Sequence, residues 1–598
     1  MTHGRGARVP WELAALALAT LAYALGVVRD FSGPLVARGD ASYFELLGAH
    51  LVRGYHFGFP PTIDFVTTDV GYPEGTSVVY LSWCAERDLL HMTMLRAFGP
   101  GPWLQLYVAL SPAVSAAGIW ALLRGEVGRA RASVVAWAGA FMCFYAAFKF
   151  AYHLNMTALH WGAMSIVVDW LMVRRVVAGE RIEARLVLAR VALLAAVVGL
   201  DIGYVAGYPL TSFTVACIYM LAWLFTVGRR RGVTLGSVWP RGVAAEVRAH
   251  PWSFAFWGAL LLVGVVFYVP FDLAVVRAAT VYRFDGAGGN FWASQLRMLL
   301  PFFPGANPAS GWVRALFGED DGTGELSTGW ALLAFMILGV VAAKKKRRLH
   351  VIAPLLVTFA LCFAFHPARF RTLHVFPWFF FNRVAGRSTV FFPLWFALVG
   401  LEWLEGASLR ARRALACVAA VETLTAWILV HDYAPARFTP EMGAYFAEVH
   451  RAPGEALLEW PFCIAGANGV GTSELCPYYK LLSTSYAYRR FHGKKVFGFY
   501  LSRVHPSQLQ GRLRYASLFS PDDPSPHLAR RETRCFDDAR WATFDALLRS
   551  GDFGAIQLDV DLLPAECAED FYLRFGAPVA RATLPGPGRV ELLVPVRP

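Results

Sequence analysis

One recurrence constrains this chain more than any other. From residue 11 to residue 430, apolar runs of bilayer length alternate with polar connections. A run of about 18 or more apolar residues reads as a helix crossing the ~30 Å hydrocarbon layer, because a helix alone satisfies its own backbone hydrogen bonds there. The runs fall at 11–28, 103–123, 132–152, 156–173, 186–204, 205–227, 253–269, 328–343, 349–365, 388–404 and 414–430. The first follows Arg5 and Arg8, as a signal peptide would. It outruns an apolar signal core of about 7–15 residues and no small-residue cleavage site precedes Arg29, so it reads as the first span.

The charge pattern orients these spans. Only 17% of residues are charged, against about 25% in soluble domains, which excludes one large soluble core. A net charge of +13 could suit a nucleic-acid partner. The basic residues instead sit in short clusters between apolar runs: Arg124/Arg129/Arg131, Arg174-Arg175, Arg229-Arg230-Arg231, Lys344-Lys345-Lys346-Arg347-Arg348 and Arg410/Arg412/Arg413. If about eleven spans simply alternate, every dense cluster falls on the cytoplasmic side, the N-terminus inside and the C-terminus outside. One span more or fewer would set residues 344–348 against Arg229-Arg230-Arg231. No G-x-G-x-x-G or P-loop motif is present, so nothing points to a nucleotide.

Beyond residue 432 no run reaches bilayer length. Strands are expected at 456–462, 554–560 and 589–596, with helix inside 475–489 and over 536–548. Strands alternating with helices imply an α/β domain, and about 165 residues suffice for its own core. It holds four of the nine cysteines: Cys463, Cys476, Cys535 and Cys567. Outside the cytoplasm disulfides are permitted. Cys463–Cys476 and Cys535–Cys567 are nearest in sequence; four unpaired thiols are the alternative. The expected fold is therefore a polytopic α-helical membrane protein, residues 1–432, with a large first outer loop at 29–100 and a C-terminal extracytoplasmic α/β domain at 433–598.

That loop holds Asp40, Asp64, Asp69, Glu86 and Asp88. Tyr43, Phe44, Leu47 and Leu51 fall at helical spacing, with Glu45 and Arg53 turned elsewhere; Leu89, Leu90 and Leu95 line a second helical stretch. Two amphipathic helices lying in the membrane interface are expected. Ionisable residues also gather at the outer span ends: Lys149, His153, Asp201, Asp272 and His366, then Arg369, Arg371, His374, Arg383 and Arg387. Each is expensive near a bilayer, although headgroup anchoring explains any one alone. Together, beside the aromatic run Phe376-Pro377-Trp378-Phe379-Phe380-Phe381, they describe an outward cavity suited to a phosphate and sugar on an apolar tail. Arg383 and Arg387 suit phosphate, with Lys149 and His153 behind them. His160 and Glu422, inside spans, are expected to satisfy neighbouring helices.

Several of these features together resemble the GT-C superfamily, multi-pass glycosyltransferases that use polyprenyl-phosphate sugars. They are Gly39-Asp40 in the first outer loop, Tyr72-Pro73-x-Gly75, the His153 turn, Arg383-Val384-Ala385-Gly386-Arg387 entering a span, and an outer domain after about eleven spans. The resemblance implies a catalytic acid that maps by position to Asp40, with a second acid among Asp64, Asp69 and Asp201. It implies substrate-binding roles for Tyr72, Lys149, His153, Asp201, Arg383 and Arg387. The donor would be a polyprenyl-phosphate sugar, the acceptor an envelope glycan, lipid or protein, and the place the periplasmic face of a bacterial inner membrane. Asp64 and Asp69 stand five apart, so the two-acid D-x-D or E-x-D motif is missing and dependence on a divalent metal stays open. The missing motif favours the alternative, a non-catalytic scaffold or export helper for surface polysaccharide. A secondary transporter would show paired half-chain repeats, and none is evident.

Overall fold

The computed structural model describes residues 10–36, 42–150, 153–201, 205–282, 327–366, 369–379, 384–429, 437–483, 485–519 and 535–595. Among them six segments are long and apolar enough to cross a membrane: Trp11–Val28, Trp103–Val127, Arg129–Lys149, Leu154–Ala178, Gly207–Gly228 and Pro251–Ala279. The other expected spans are also helical, over Ala184–Val198, Trp330–Lys345, Leu349–Phe363, Phe392–Leu404 and Leu409–Leu429. They are shorter or, in Leu409–Leu429, carry Arg412, Arg413 and Glu422.

The bundle is built around His160–Ala178. This helix is buried along nearly its whole length and packs on Trp103–Val127, Ala184–Val198, Gly207–Trp223 and Leu349–Phe363. A helix apolar all round is stable only when neighbours enclose it. Its one acid, Asp169, pairs with Arg190 of the Ala184–Val198 helix at 3.0 Å, since a charge at this depth needs a counter-charge. Elsewhere small residues let backbones approach. A Cβ on Gly339 would lie 2.3 Å from the Val399 carbonyl oxygen of the Phe392–Leu404 helix.

Ion pairs join the basic connections at one end of the bundle. Arg131 meets Glu405 at 3.6 Å, Lys346 meets Glu405 at 2.8 Å and Arg348 meets Glu402 at 3.5 Å. Arg175 pairs with Glu126, and with Glu180 at 2.6 Å. Glu246 accepts from the Ala184 and Arg185 backbone N–H groups at 2.8 and 2.9 Å.

At the other end sits the C-terminal domain. Its five-stranded sheet runs in the order Ala580–Leu584, Gly588–Leu593, Phe553–Asp559, Ala456–Trp460, Lys495–Val496. Ala456–Trp460 lies parallel to both its neighbours; Gly588–Leu593 is antiparallel to its own, Leu592 facing Gln557. The two central strands are buried throughout, as parallel strands covered on both faces must be. Pro440–Arg451, Asp538–Arg549 and Ala565–Phe575 are its longer helices. Cys463–Cys476 and Cys535–Cys567 are both disulfide-bonded.

The loop helices depart from expectation. Ser42–Gly54 and Ala85–Phe98 pack on each other, Gly48 so close to His91 that a Cβ would stand 2.2 Å from its Nδ1. Phe44, Leu47 and Leu51 are buried as expected, but so is Glu45. On the second helix Arg87, Asp88 and His91 go inside while Leu90 is exposed. Pairing explains the reversal. Arg87 Nε donates to Asp88 Oδ1 at 2.7 Å, and His91 Nε2 lies 3.2 Å from Glu45 Oε2. Ser42–Gly54 also packs on the 485–492 segment of the C-terminal domain.

Candidate active site

Ala85–Phe98 carries its charged start onto three other helices. Glu86 N–H donates to Gly199 O, just past Ala184–Val198, at 2.9 Å. The Glu86 carboxylate accepts from His160 Nε2 at 3.1 Å, Trp161 Nε1 at 3.0 Å and Tyr107 OH at 3.2 Å. His160 Nδ1 in turn meets Ser111 Oγ at 3.1 Å; with Nε2 donating to Glu86, a neutral ring accepts the serine proton there. His160 is thus the interhelical hydrogen-bonder expected. Glu422 likewise accepts from the Trp330 and Ala331 N–H groups at 2.6 and 3.1 Å, capping the neighbouring helix.

Beside Glu86, Asp88 accepts from Cys84 N–H at 2.8 Å and Arg87 Nη2 donates to Ser82 O at 2.8 Å. The Arg87 guanidinium lies 4.2 Å from the Phe44 ring centroid. Burial would lower its pKa, but Asp88, with Cys84 and Asp201, holds it above its ordinary value. Asp201 and Asp272 are both buried. Asp201 lies within electrostatic range of Arg87, and Asp272 within range of Asp201 and Asp88. Asp272 Oδ2 has no hydrogen-bond partner among the described residues. The result is a buried layer of three carboxyl groups and one guanidinium, with the half-buried Glu86 at its edge, in which a carboxylate can be held ionised and oriented by fixed donors.

Other expected site residues come together around the Ala385–Phe391 segment. Phe144–Lys149 packs on Ala385–Phe391, the segment that carries Arg387. Lys149 is buried, its Nζ 5.4 Å from the Tyr145 ring centroid, and its carbonyl accepts from His153 N–H at 2.8 Å. Arg387 is half-buried. Phe391 reaches the helix of His160, where a Cβ on Gly162 would lie 2.7 Å from Phe391 Cζ. Of the expected aromatic wall, Trp378 and Phe379 pack on the Gly207–Trp223 helix. Trp378 Nε1 donates to Thr211 Oγ1 at 3.0 Å, and Phe379 lies 4.9 Å from Tyr208.

Asp40 and Arg383 lie outside the described residues. Asp64, Asp69 and Tyr72 have other engagements. Asp64 pairs at 3.0 Å with His56, both exposed. Asp69 pairs with Arg489, and its carbonyl accepts from Arg489 Nε at 2.9 Å. Tyr72 OH donates to Glu455 Oε1 at 2.7 Å and accepts from Asp552 N–H at 2.9 Å. Arg512 Nη2 donates to Gly71 O at 2.6 Å and Gly75 O at 2.7 Å. Asp69 and Tyr72 therefore dock the first loop onto the C-terminal domain. Sequence reading passes over Glu86 and Asp88 as site acids; the Glu86-Arg87-Asp88 run at a helix start is the one local signal, and the partners of Glu86 are all distant in sequence. Among the described residues no group of three or more His, Cys, Asp or Glu is placed to hold a metal ion.

No family model and no curated protein matches the chain. Solved structures do. ArnT from Cupriavidus metallidurans bound to undecaprenyl phosphate matches with a TM-score of 0.49 and 12% identity, covering 98% of each chain. Archaeoglobus fulgidus oligosaccharyltransferase AglB, in complex with an inhibitory peptide and a dolichol-phosphate, matches at 0.41 and 12% identity over 95% of this chain and 71% of its own. The mycobacterial arabinofuranosyltransferase AftD matches at 0.46 and 13% identity over 98% of this chain and 42% of its own. All three are GT-C superfamily glycosyltransferases. The chain resembles GT-C glycosyltransferases. With TM-scores below 0.5, the likeness is one of outline and carries no site residue across.

Proposed function

We propose that the protein is a membrane glycosyltransferase that moves a sugar from a polyprenyl-phosphate donor to a cell-envelope acceptor, with inversion, at the periplasmic face of a bacterial inner membrane. The observation that carries this reading is the buried layer of Asp88, Asp201, Asp272 and Arg87, edged by the half-buried Glu86, at the bundle end away from the Lys/Arg clusters and beneath a loop held by the C-terminal domain. Eleven alternating spans account for the two ends. The basic connections are tied together at one, and loop 29–100 meets the C-terminal domain at the other. Basic connections stay cytoplasmic, and two disulfides suit an oxidising compartment.

In this reading the acceptor oxygen attacks the anomeric carbon as the bond from that carbon to the phosphate oxygen breaks. Asp40 takes the acceptor proton as general base. The leaving phosphate takes the bond's electron pair, and Arg383 and Arg387 offset its charge, with Lys149 behind them. Asp201 is the best placed second acid, because it belongs to the buried layer while Asp69 is committed to Arg489. Transfer from a polyprenyl-phosphate sugar in isolated membranes tests the assignment: Asp40→Asn abolishes it at unchanged expression and melting temperature. Full activity in that variant removes Asp40 from the mechanism. Mass spectrometry of an organic extract should find co-purifying polyprenyl phosphate; ordinary phospholipid alone points to the scaffold.

A further inference from the structure

A groove of 640 Å³ runs along the bundle flank at the end that carries the basic clusters. One wall is the Trp103–Val127 helix, kept low by Ala117, Gly118, Ala121 and Gly125; Met164, Leu186 and Phe256 from three other helices face it. Ala117 and Ala121 are exposed, so the groove opens sideways. From Val114 to Glu126, both lining it, a helix advances about 18 Å at ~1.5 Å per residue, roughly the depth of one leaflet of a ~30 Å core.

Its apolar depth ends in a rim of mixed charge formed by Arg124, Glu126, Arg175, Glu183 and Arg185. Arg175 is committed to Glu126, Glu180 and Glu183, and Arg185 to Glu183 and Glu246. Arg124 is exposed and has no carboxylate partner among the described residues; its guanidinium lies 4.7 Å from the Trp120 ring centroid. Trp252, 86% exposed, stands at the mouth, as tryptophans do at membrane interfaces. An amphiphile matches this gradient. Arg124 offers a cation for a phosphate, and Glu126 and Glu183 offer carboxylates for an ammonium. A headgroup with negative charge alone would face both glutamates, and an apolar ligand would leave the rim unused.

We propose that this groove holds a two-chain glycerophospholipid with an ammonium-bearing headgroup, an acyl chain along Ala117 and Ala121, its phosphate on Arg124 and its ammonium facing Glu126 and Glu183. The site lies at the opposite end of the bundle from the acid layer and does not depend on the proposed activity. The test uses the full-length protein, washed extensively in detergent, re-exposed to phosphatidylethanolamine or to phosphatidylglycerol, and assayed for retained phospholipid per chain. Phosphatidylethanolamine is retained in preference. Arg124→Ala lowers its retention about tenfold, the worth of one charge-assisted contact, and Ala121→Trp blocks the groove. Arg124 is exposed, so its variant folds even where Ala121→Trp does not, and gel filtration checks this. Unchanged retention in Arg124→Ala overturns the proposal, as does preferred retention of phosphatidylglycerol or of a polyprenyl phosphate.

Discussion

The junction between loop and domain gives a prediction whose size follows from burial. Arg489 keeps 9% of its side-chain exposure and Asp69 keeps 24%. Burial pulls the Arg489 pKa down to about 10, with Asp69 opposing the fall. Exposed ion pairs are worth about 0–1 kcal/mol, whereas removing one member of a fully buried pair costs about 3–5 kcal/mol. An intermediate pair should couple by about 2 kcal/mol. The cost is also asymmetric. Asp69→Asn strands the more deeply buried charge, so it should destabilise more than Arg489→Gln, which leaves a carboxylate that water reaches. The assay is hydrogen exchange at two amides that cross the junction: Tyr72 N–H, bonded to Val496 O, and Val496 N–H, bonded to Asp69 O, both at 3.0 Å. A loss of about 2 kcal/mol speeds exchange there about 30-fold, and the double variant should lose less than the sum of the singles. Exchange within about threefold of the parent in Asp69→Asn, well short of that shift, would refute the reasoning.

Three further outcomes are expected. Burial pushes the Glu459 carboxyl up to about 8, so it stays protonated in the folded domain while the unfolded chain ionises near ~4.3. Its stabilising contribution is complete below the unfolded value and is lost as pH rises through the folded one. Between pH 6.5 and 8 this group should remove about 2 kcal/mol of stability, and Glu459→Gln should flatten that slope in thermal unfolding. His492 has the opposite sign. Burial first, then Arg489 and Lys494, hold it down at about 3, so its contribution is present above pH 6.5 and fades toward pH 3; His492→Gln should remove this acid-side component. Glu86→Ala leaves the His160, Trp161 and Tyr107 donors without their acceptor; it should cost about 3 kcal/mol and Glu86→Gln clearly less, read from melting temperatures in detergent.

The helical spans are legible in the sequence because bilayer length and basic punctuation are local signals. Every expected span meets a helix, including Ala184–Val198 and Phe392–Leu404, which are too short to stand out by length alone. The disulfide pairing is legible for a similar reason, since the nearest cysteines are the bonded ones. What fails is the reading of the second amphipathic stripe in the first loop. Counting Leu89, Leu90 and Leu95 as the buried face assumes that charge stays in water. Arg87 neutralises Asp88 and His91 meets Glu45 from another helix, so the charged face goes inside, and the second of these pairings has no local signature. Asp69 and Tyr72 likewise have partners that no local signal announces. A polar side chain in an outward loop reads as a site residue until the Arg489 and Glu455 that engage it, some four hundred residues later, are in view. By contrast Lys149 and the segment of Arg387 do come together, because both lie at helix ends and the bundle brings such ends close.

The short bridge between Val70 and Val496 bears on how far the tail is separable. Lys495–Val496 is the last strand on its side of the sheet, and the Asp69 and Tyr72 backbone occupies the Val496 N–H and C=O that would otherwise stand open. Cut from the bundle, the tail would present a raw β-edge ready to pair with another copy of itself. The tail shares that edge with the first loop rather than standing as a portable module, and exchanging it between related proteins would require the loop to travel with it.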